Sequence, residues 1–144
     1  MVEECYVMVK PGFCKKEIID DTIKALKDKG VNLIEEKKIL YDPECARLHY
    51  IEKSGKPYVS ELIDYLISDY SYGMIFEGVN ALQICRSTVE ELRHSLKEKY
   101  NLKTDVMRNI LHCSSKTRVG NTMLDLDTQR ELALFHYLKN KVSK

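Results

Sequence analysis

The sequence predicts an α/β sandwich (α+β in class): a βαββαβ antiparallel sheet with helices on one face, as in ferredoxin-like folds, with extra helices in the connections. Two observations carry this. Strand-like segments rich in Val, Ile, Tyr and Met alternate along the chain with segments whose apolar residues recur every three or four positions. Glycine, proline or an N-cap residue punctuates most of the changes from one to the other.

In chain order, Cys5 to Val9 reads as a first strand, stopped by the turn Lys10-Pro11-Gly12. A lysine there either reaches a ligand phosphate or caps a solvated edge, and position alone does not choose. Ile18, Ile19, Thr22, Ile23 and Leu26 mark one face of a helix that ends at Gly30. Val31 to Tyr41 reads as a strand whose charged middle, Glu35 to Lys38, suits an edge. Asp42 and Pro43 have the chemistry of an N-cap and first helical residue for a short helix to His49-Tyr50. After the Ser54 to Pro57 turn, Tyr58, Leu62, Ile63 and Leu66 share a helix face. Tyr72 to Glu77 is the next strand, ended by Gly78, and Val79-Asn80-Ala81 opens a helix containing Arg86. Beyond Ser87 a polar, lysine-rich segment, helical in part and mostly exposed, reaches Tyr100. Ile110 and Leu111 suit a brief buried strand or a tight packed turn; such a strand would carry His112 at its end. Ser114 to Asp127 reads as an irregular connection, and a last helix from Asp127 or Thr128 turns Leu132, Leu134, Phe135 and Leu138 to the core.

The chain has 144 residues, which suits a single domain over 1–144 with a real core. Its 23 Lys and Arg against 22 Asp and Glu give a formal net charge of +1, so no basic field argues for nucleic acid. No apolar run is long enough to span a bilayer, and no signal peptide is evident. The cysteines Cys5, Cys14, Cys45, Cys85 and Cys113 are scattered without metal-ligand spacing, which reads as reduced thiols in a cytoplasmic protein. Cys113 beside His112 offers a second nucleophile, but nothing in the sequence marks it as activated.

Chemistry concentrates in Arg108-Asn109-Ile110-Leu111-His112-Cys113-Ser114-Ser115. Histidine is a nucleophile near neutral pH because its ordinary pKa is about 6.5. A lone histidine among apolar residues is more often a hydrogen-bonded core residue. Lys10-Pro11, His49-Tyr50, Lys56-Pro57-Tyr58, Met74 to Ala81 followed by Arg86, and Arg108-Asn109-Ile110-Leu111-His112 occur in that order. In order and spacing the chain resembles the nucleoside diphosphate kinases, from Glu4 to about Ser115 and again over Glu131 to Phe135.

That resemblance implies a ping-pong transfer: the terminal phosphoryl group of ATP passes to His112, and from phosphohistidine to a nucleoside diphosphate. It implies Mg2+ carried by the nucleotide phosphates, with no metal site in the protein, and a homo-oligomer of at least two chains. By the same resemblance Lys10 and Tyr50 contact the transferring phosphate, and Arg86 clamps the distal phosphates with a guanidinium fork. Asn109 meets the ribose and phosphate region. Tyr58 stacks on the base, with Leu62 and Val106 closing the slot, though Tyr58 and Leu62 also fit a helix core stripe. Ser114 stands beside the catalytic histidine and Glu131 orients its ring. The family's second phosphate-binding arginine has candidates in Arg93, Lys97 and Lys99, and Lys97 is counted with the nucleotide-binding residues. Arg108 reads as structural, and His49, His94 and His136 as packing or surface residues.

The chain departs from the family at Gly12, where an aspartate is usual, at Cys113, where a glycine follows the histidine, and at Ser115, where an acid stands. The segment between Arg86 and Arg108 is shorter than the family's, and the connection from His112 to Glu131 is longer. The alternative reading is a nucleotide-binding or protein-interaction module with weak or no transfer activity.

Overall fold

The structure, a computed structural model, describes residues 2–142. Six strands and five helices follow in the order β1 (Val2–Val9), α1 (Lys16–Asp28), β2 (Asn32–Ile39), α2 (Pro43–His49), α3 (Val59–Ile67), β3 (Ser71–Val79), α4 (Ala81–Lys99), β4 (Leu111–Cys113), β5 (Thr117–Val119), β6 (Thr122–Leu124) and α5 (Leu126–Val142). The main sheet is antiparallel, in the order β2-β3-β1-β4, and carries the βαββαβ connectivity expected. Among the described residues no helix is long and apolar enough to cross a membrane.

Helices cover both faces of the sheet, not one. The cause lies in β1, whose residues Cys5 to Val9 are apolar at both parities and wholly buried. Cys5, Val7 and Val9 face α1 and α4, packing with Ile18, Leu26, Cys85 and Val89. Tyr6 and Met8 face the other way, with Ala46 of α2, Leu66 of α3, and Leu132, Phe135 and Leu138 of α5. An element that must be shielded on both sides needs helices on both sides.

Three elements differ from expectation. α4 is one continuous helix to Lys99, because Leu82, Cys85, Val89, Leu92 and Leu96 form an unbroken buried stripe at three- and four-residue spacing. β3 runs past Gly78 to Val79. Gly78 is there for a close approach: a Cβ would meet the Gly30 carbonyl oxygen at 3.3 Å. The connection after Ser114 is the hairpin β5–β6, closed by the two-residue turn Gly120-Asn121 with Gly120 at φ 62°. As expected, the Asp42 side chain caps α2, accepting from Cys45 N–H at 2.7 Å.

Candidate active site

The site begins with strand alternation. β4 pairs with β1 so that Met8 faces His112 and Val7 faces Cys113. Leu111 and Cys113 therefore pack toward the α1–α4 side, and His112 turns to the α2–α5 side, near the Tyr6 ring.

The chain enters β4 through a γ-turn. Leu111 N–H donates to the Asn109 carbonyl at 2.9 Å across Ile110, whose φ is 78°. A β-branched residue in that region costs on the order of 1–3 kcal/mol. Ile110 is fully buried, and its carbonyl accepts from Lys10 N–H at 2.8 Å, so the surroundings hold the turn. The Lys10 side of this contact is itself a tight turn. Phe13 N–H reaches the Lys10 carbonyl at 3.1 Å, with Gly12 at φ 89° in the third position. That conformation favours glycine, which accounts for Gly12.

These turns bring Lys10 onto Asn109. Its Nζ donates to Asn109 Oδ1 at 2.6 Å and to the Met107 carbonyl at 3.2 Å. Burial, and next the nearby Arg93 charge, push the Lys10 ammonium down to about 8. Arg93, on α4, points its fork at the end of β4, donating Nε and Nη2 to the Leu111 carbonyl at 3.0 and 2.9 Å.

From the other side α5 supplies Glu131. His112 Nε2 lies 2.7 Å from Glu131 Oε1, and the glutamate is 4% exposed. Burial alone would raise that carboxyl; the charge and hydrogen bond of His112, with His49 and Arg130, more than offset it, so the net shift is downward. His49 packs edge-on against His112, ring centroids 4.8 Å apart. Its Nδ1 is buried without a hydrogen-bond partner among the described residues, and burial pushes its pKa down to about 3, so the ring is neutral. Burial, then Glu131, pushes the neighbouring Tyr50 up to about 12. Arg130 lies 3.1 Å from Asp127 and 3.7 Å from Glu52.

All of this borders one pocket of about 660 Å3. Lys10, Tyr50, Tyr58, Leu62, Val106, Asn109, His112 and Glu131 line it, as the sequence reading grouped them. Tyr58 and Leu62, at the start of α3, border the same pocket as Val106, which is 97% exposed. Glu131 reaches His112 in spite of the longer connection, because the β5–β6 hairpin takes up the extra residues.

Three expected site residues lie elsewhere. Arg86 is exposed and borders a different cleft with Glu3, Asn80 and Cys113. It sits two helical turns before Arg93 on α4, about 10 Å along the axis. Lys97 is exposed one turn beyond Arg93 and borders neither cleft. Ser114 is fully buried: its Oγ accepts from Tyr6 N–H at 3.1 Å, fixing β4 to β1, and does not line the pocket.

The sequence reading missed His49, Asp127 and Arg130 as pocket residues, and named Arg93 only as one of three candidates. The signal for Arg130 was adjacency to Glu131, and for Arg93 the helical phase shared with Val89 and Leu96. Arg108 pairs with Asp105 at 3.2 Å and lies over the Tyr65 ring, outside the pocket of His112.

A profile described as nucleoside diphosphate kinase matches residues 3–136. The chain belongs to the nucleoside diphosphate kinase family. It is 30% identical over 140 residues to the nucleoside diphosphate kinase of Archaeoglobus fulgidus, covering 93% of this chain and 86% of that one. It is 29% identical to the Listeria welshimeri enzyme, covering 93% and 88%. Among solved structures, the Halobacterium salinarum nucleoside diphosphate kinase in complex with CDP matches with a TM-score of 0.71, at 26% identity over 94% of this chain and 88% of that one. The Aquifex aeolicus nucleoside diphosphate kinase shares the fold with a TM-score of 0.73, at 21% identity over 94% and 95%. Membership makes the chain a phosphotransferase acting on nucleotides.

Proposed function

We propose that this chain moves the terminal phosphoryl group of ATP to a nucleoside diphosphate in two half-reactions through His112. The observation that carries this reading is the 2.7 Å contact of His112 Nε2 with buried Glu131, in a pocket that also holds Lys10 and Arg93. With Nε2–H donating to the carboxylate, the lone pair of the neutral ring sits on Nδ1. That nitrogen attacks phosphorus, an N–P bond forms, and the O–P bond breaks with its electron pair leaving on the diphosphate. Glu131 offsets the positive charge that grows on the ring. The second half-reaction is the reverse, with a different diphosphate oxygen attacking.

The protein's part is positioning and charge. Lys10 and Arg93 take the negative charge on the transferring oxygens; Arg93, not Arg86, holds the distal phosphates. Asn109 fixes the ribose side. Tyr58, Leu62 and Val106 hold the base by its faces, which tolerates many nucleosides. The pocket's carboxylates are engaged: Glu52 and Asp127 with Arg130, and Glu131 with His112. Mg2+ would be carried by the nucleotide phosphates, where it would neutralise their charge.

One observation favours the alternative of a binding module with little transfer. Lys10 is already bonded to Asn109 and Met107, and Arg93 has two donors on a backbone carbonyl. Initial rates against varied ATP and GDP decide between them. A kinase gives parallel double-reciprocal lines and loses transfer in His112→Ala. Intersecting lines, or activity surviving in that variant, contradict the proposal.

A further inference from the structure

We propose that Cys5 and Cys113 form an oxidation site, in which a peroxide joins the two thiols as a disulfide that clips β4 to β1 directly behind His112. The two sulfurs lie 3.4 Å apart, on the sheet face opposite the active-site pocket. Cys5 is fully buried, with Ser114 Oγ at 3.5 Å from its sulfur. Cys113 is partly exposed and borders the second cleft, of about 790 Å3, together with Arg86 and Arg93. A small oxidant therefore reaches Cys113 from solvent, while Cys5 is shielded and placed to resolve. The hydrogen bond between the two sulfurs holds the Cys5 thiol well below its ordinary pKa and the Cys113 thiol well above it, so the pair shares one proton, which rests on Cys113.

The chemistry balances. Cys113 passes its proton to the Cys5 thiolate, and its sulfur attacks the peroxide. An S–O bond forms, the O–O bond breaks, and the departing hydroxide takes up a proton from solvent as water. Cys5 sulfur then attacks the Cys113 sulfenic acid: S–S forms, S–O breaks, and a second water leaves with the proton Cys5 releases. Both sulfur atoms are oxidised and the peroxide is reduced.

The structural consequence follows from register. Cys113 pairs with Val7, so Cys5 is its diagonal neighbour, two residues along β1. Bringing the sulfurs to about 2.05 Å draws on a three-residue strand whose middle residue is His112. A displacement of about 1 Å in a reacting group costs on the order of 10²-fold in rate. This second part of the inference rests on the proposed kinase activity; the first does not.

The experiment treats the fully reduced full-length protein with hydrogen peroxide, alkylates it, and reads intact mass and peptide maps, with phosphoryl transfer assayed in parallel. The expected result is loss of two alkylatable thiols, a linked Cys5–Cys113 peptide pair, and a fall in transfer of about 10²-fold, all reversed by dithiothreitol. Cys113→Gly and Cys5→Ala should keep their four remaining thiols alkylatable. Five reactive thiols after peroxide, a bridge to Cys85, or Cys113 over-oxidised without a bridge overturns the site. A bridge with unchanged transfer overturns its coupling to His112. A reduced protein that bridges but never transfers overturns the kinase reading and leaves the oxidation site standing.

Discussion

Arg86 and Arg93 lie seven residues apart on α4, so both face the same side of the helix, yet only Arg93 reaches the carbonyl that precedes His112. A motif placed Arg86 in the sequence reading; axial position along the helix brings Arg93, and not Arg86, to the pocket. A hydrogen bond to a charged group is worth about 1.5–3 kcal/mol, so Arg93→Ala should lower kcat/KM for ATP by roughly 10- to 100-fold. Arg86→Ala should change it by less than about threefold, as surface substitutions usually do. Steady-state kinetics on both variants checks the reversal. Lys10 yields a second test. Its ammonium titrates at about 8, so free enzyme loses that charge as pH rises, and kcat/KM should fall above that pH. Lys10→Arg, which stays charged, should remove the alkaline limb whatever it does to the plateau. Lys10, Asn109 and His112 were legible because contiguous phrases carry them. His49 and Arg130 were not, because tertiary packing of α2 and α5 around β4 brings them in, and no local pattern encodes that.

At the scale of elements, docking of α5 on the sheet places Glu131. Gly73 of β3 makes that docking possible: a Cβ there would meet the Phe135 ring at 2.6 Å and the Tyr6 hydroxyl at 2.9 Å. Gly73→Ala should therefore destabilise the fold by about 1–3 kcal/mol, measured by denaturant midpoint. It should also reduce transfer through loss of the Glu131 contact. Unchanged stability would mean that α5 docks differently. The strands and amphipathic helices were readable from period and punctuation. The hairpin was not, although Gly120-Asn121 is a known two-residue turn, because its strands are only three residues long. The second half of α4 was taken as mostly exposed because its charges outnumber its apolar stripe.

For the whole molecule, the sheet shielded on both faces separates two chemistries: thiols on one side of β4, the histidine site on the other. That layout buries His49 as a neutral ring, with a consequence for global stability. Its pKa falls from 6.5 to about 3 on folding. Between those values the unfolded chain binds the extra proton, so stability rises with pH and is lost as pH falls from about 6.5 toward 3. The slope from one proton reaches about 1.4 kcal/mol per pH unit. Glu131, depressed on folding, acts in the same direction at lower pH. Chemical denaturation across this range should show a steep acid loss in wild type and a shallower one in His49→Leu; equal slopes would contradict the burial account.

The most direct test of the central claim is a label trapped on the protein. Purified chain is incubated with terminally labelled ATP and magnesium, separated from nucleotide, and chased with unlabelled GDP, beside His112→Ala. An acid-labile label on wild type alone, passing to GDP, is the predicted result. Nucleotide binding without label on His112, or a label that the His112→Ala variant also carries, would contradict it.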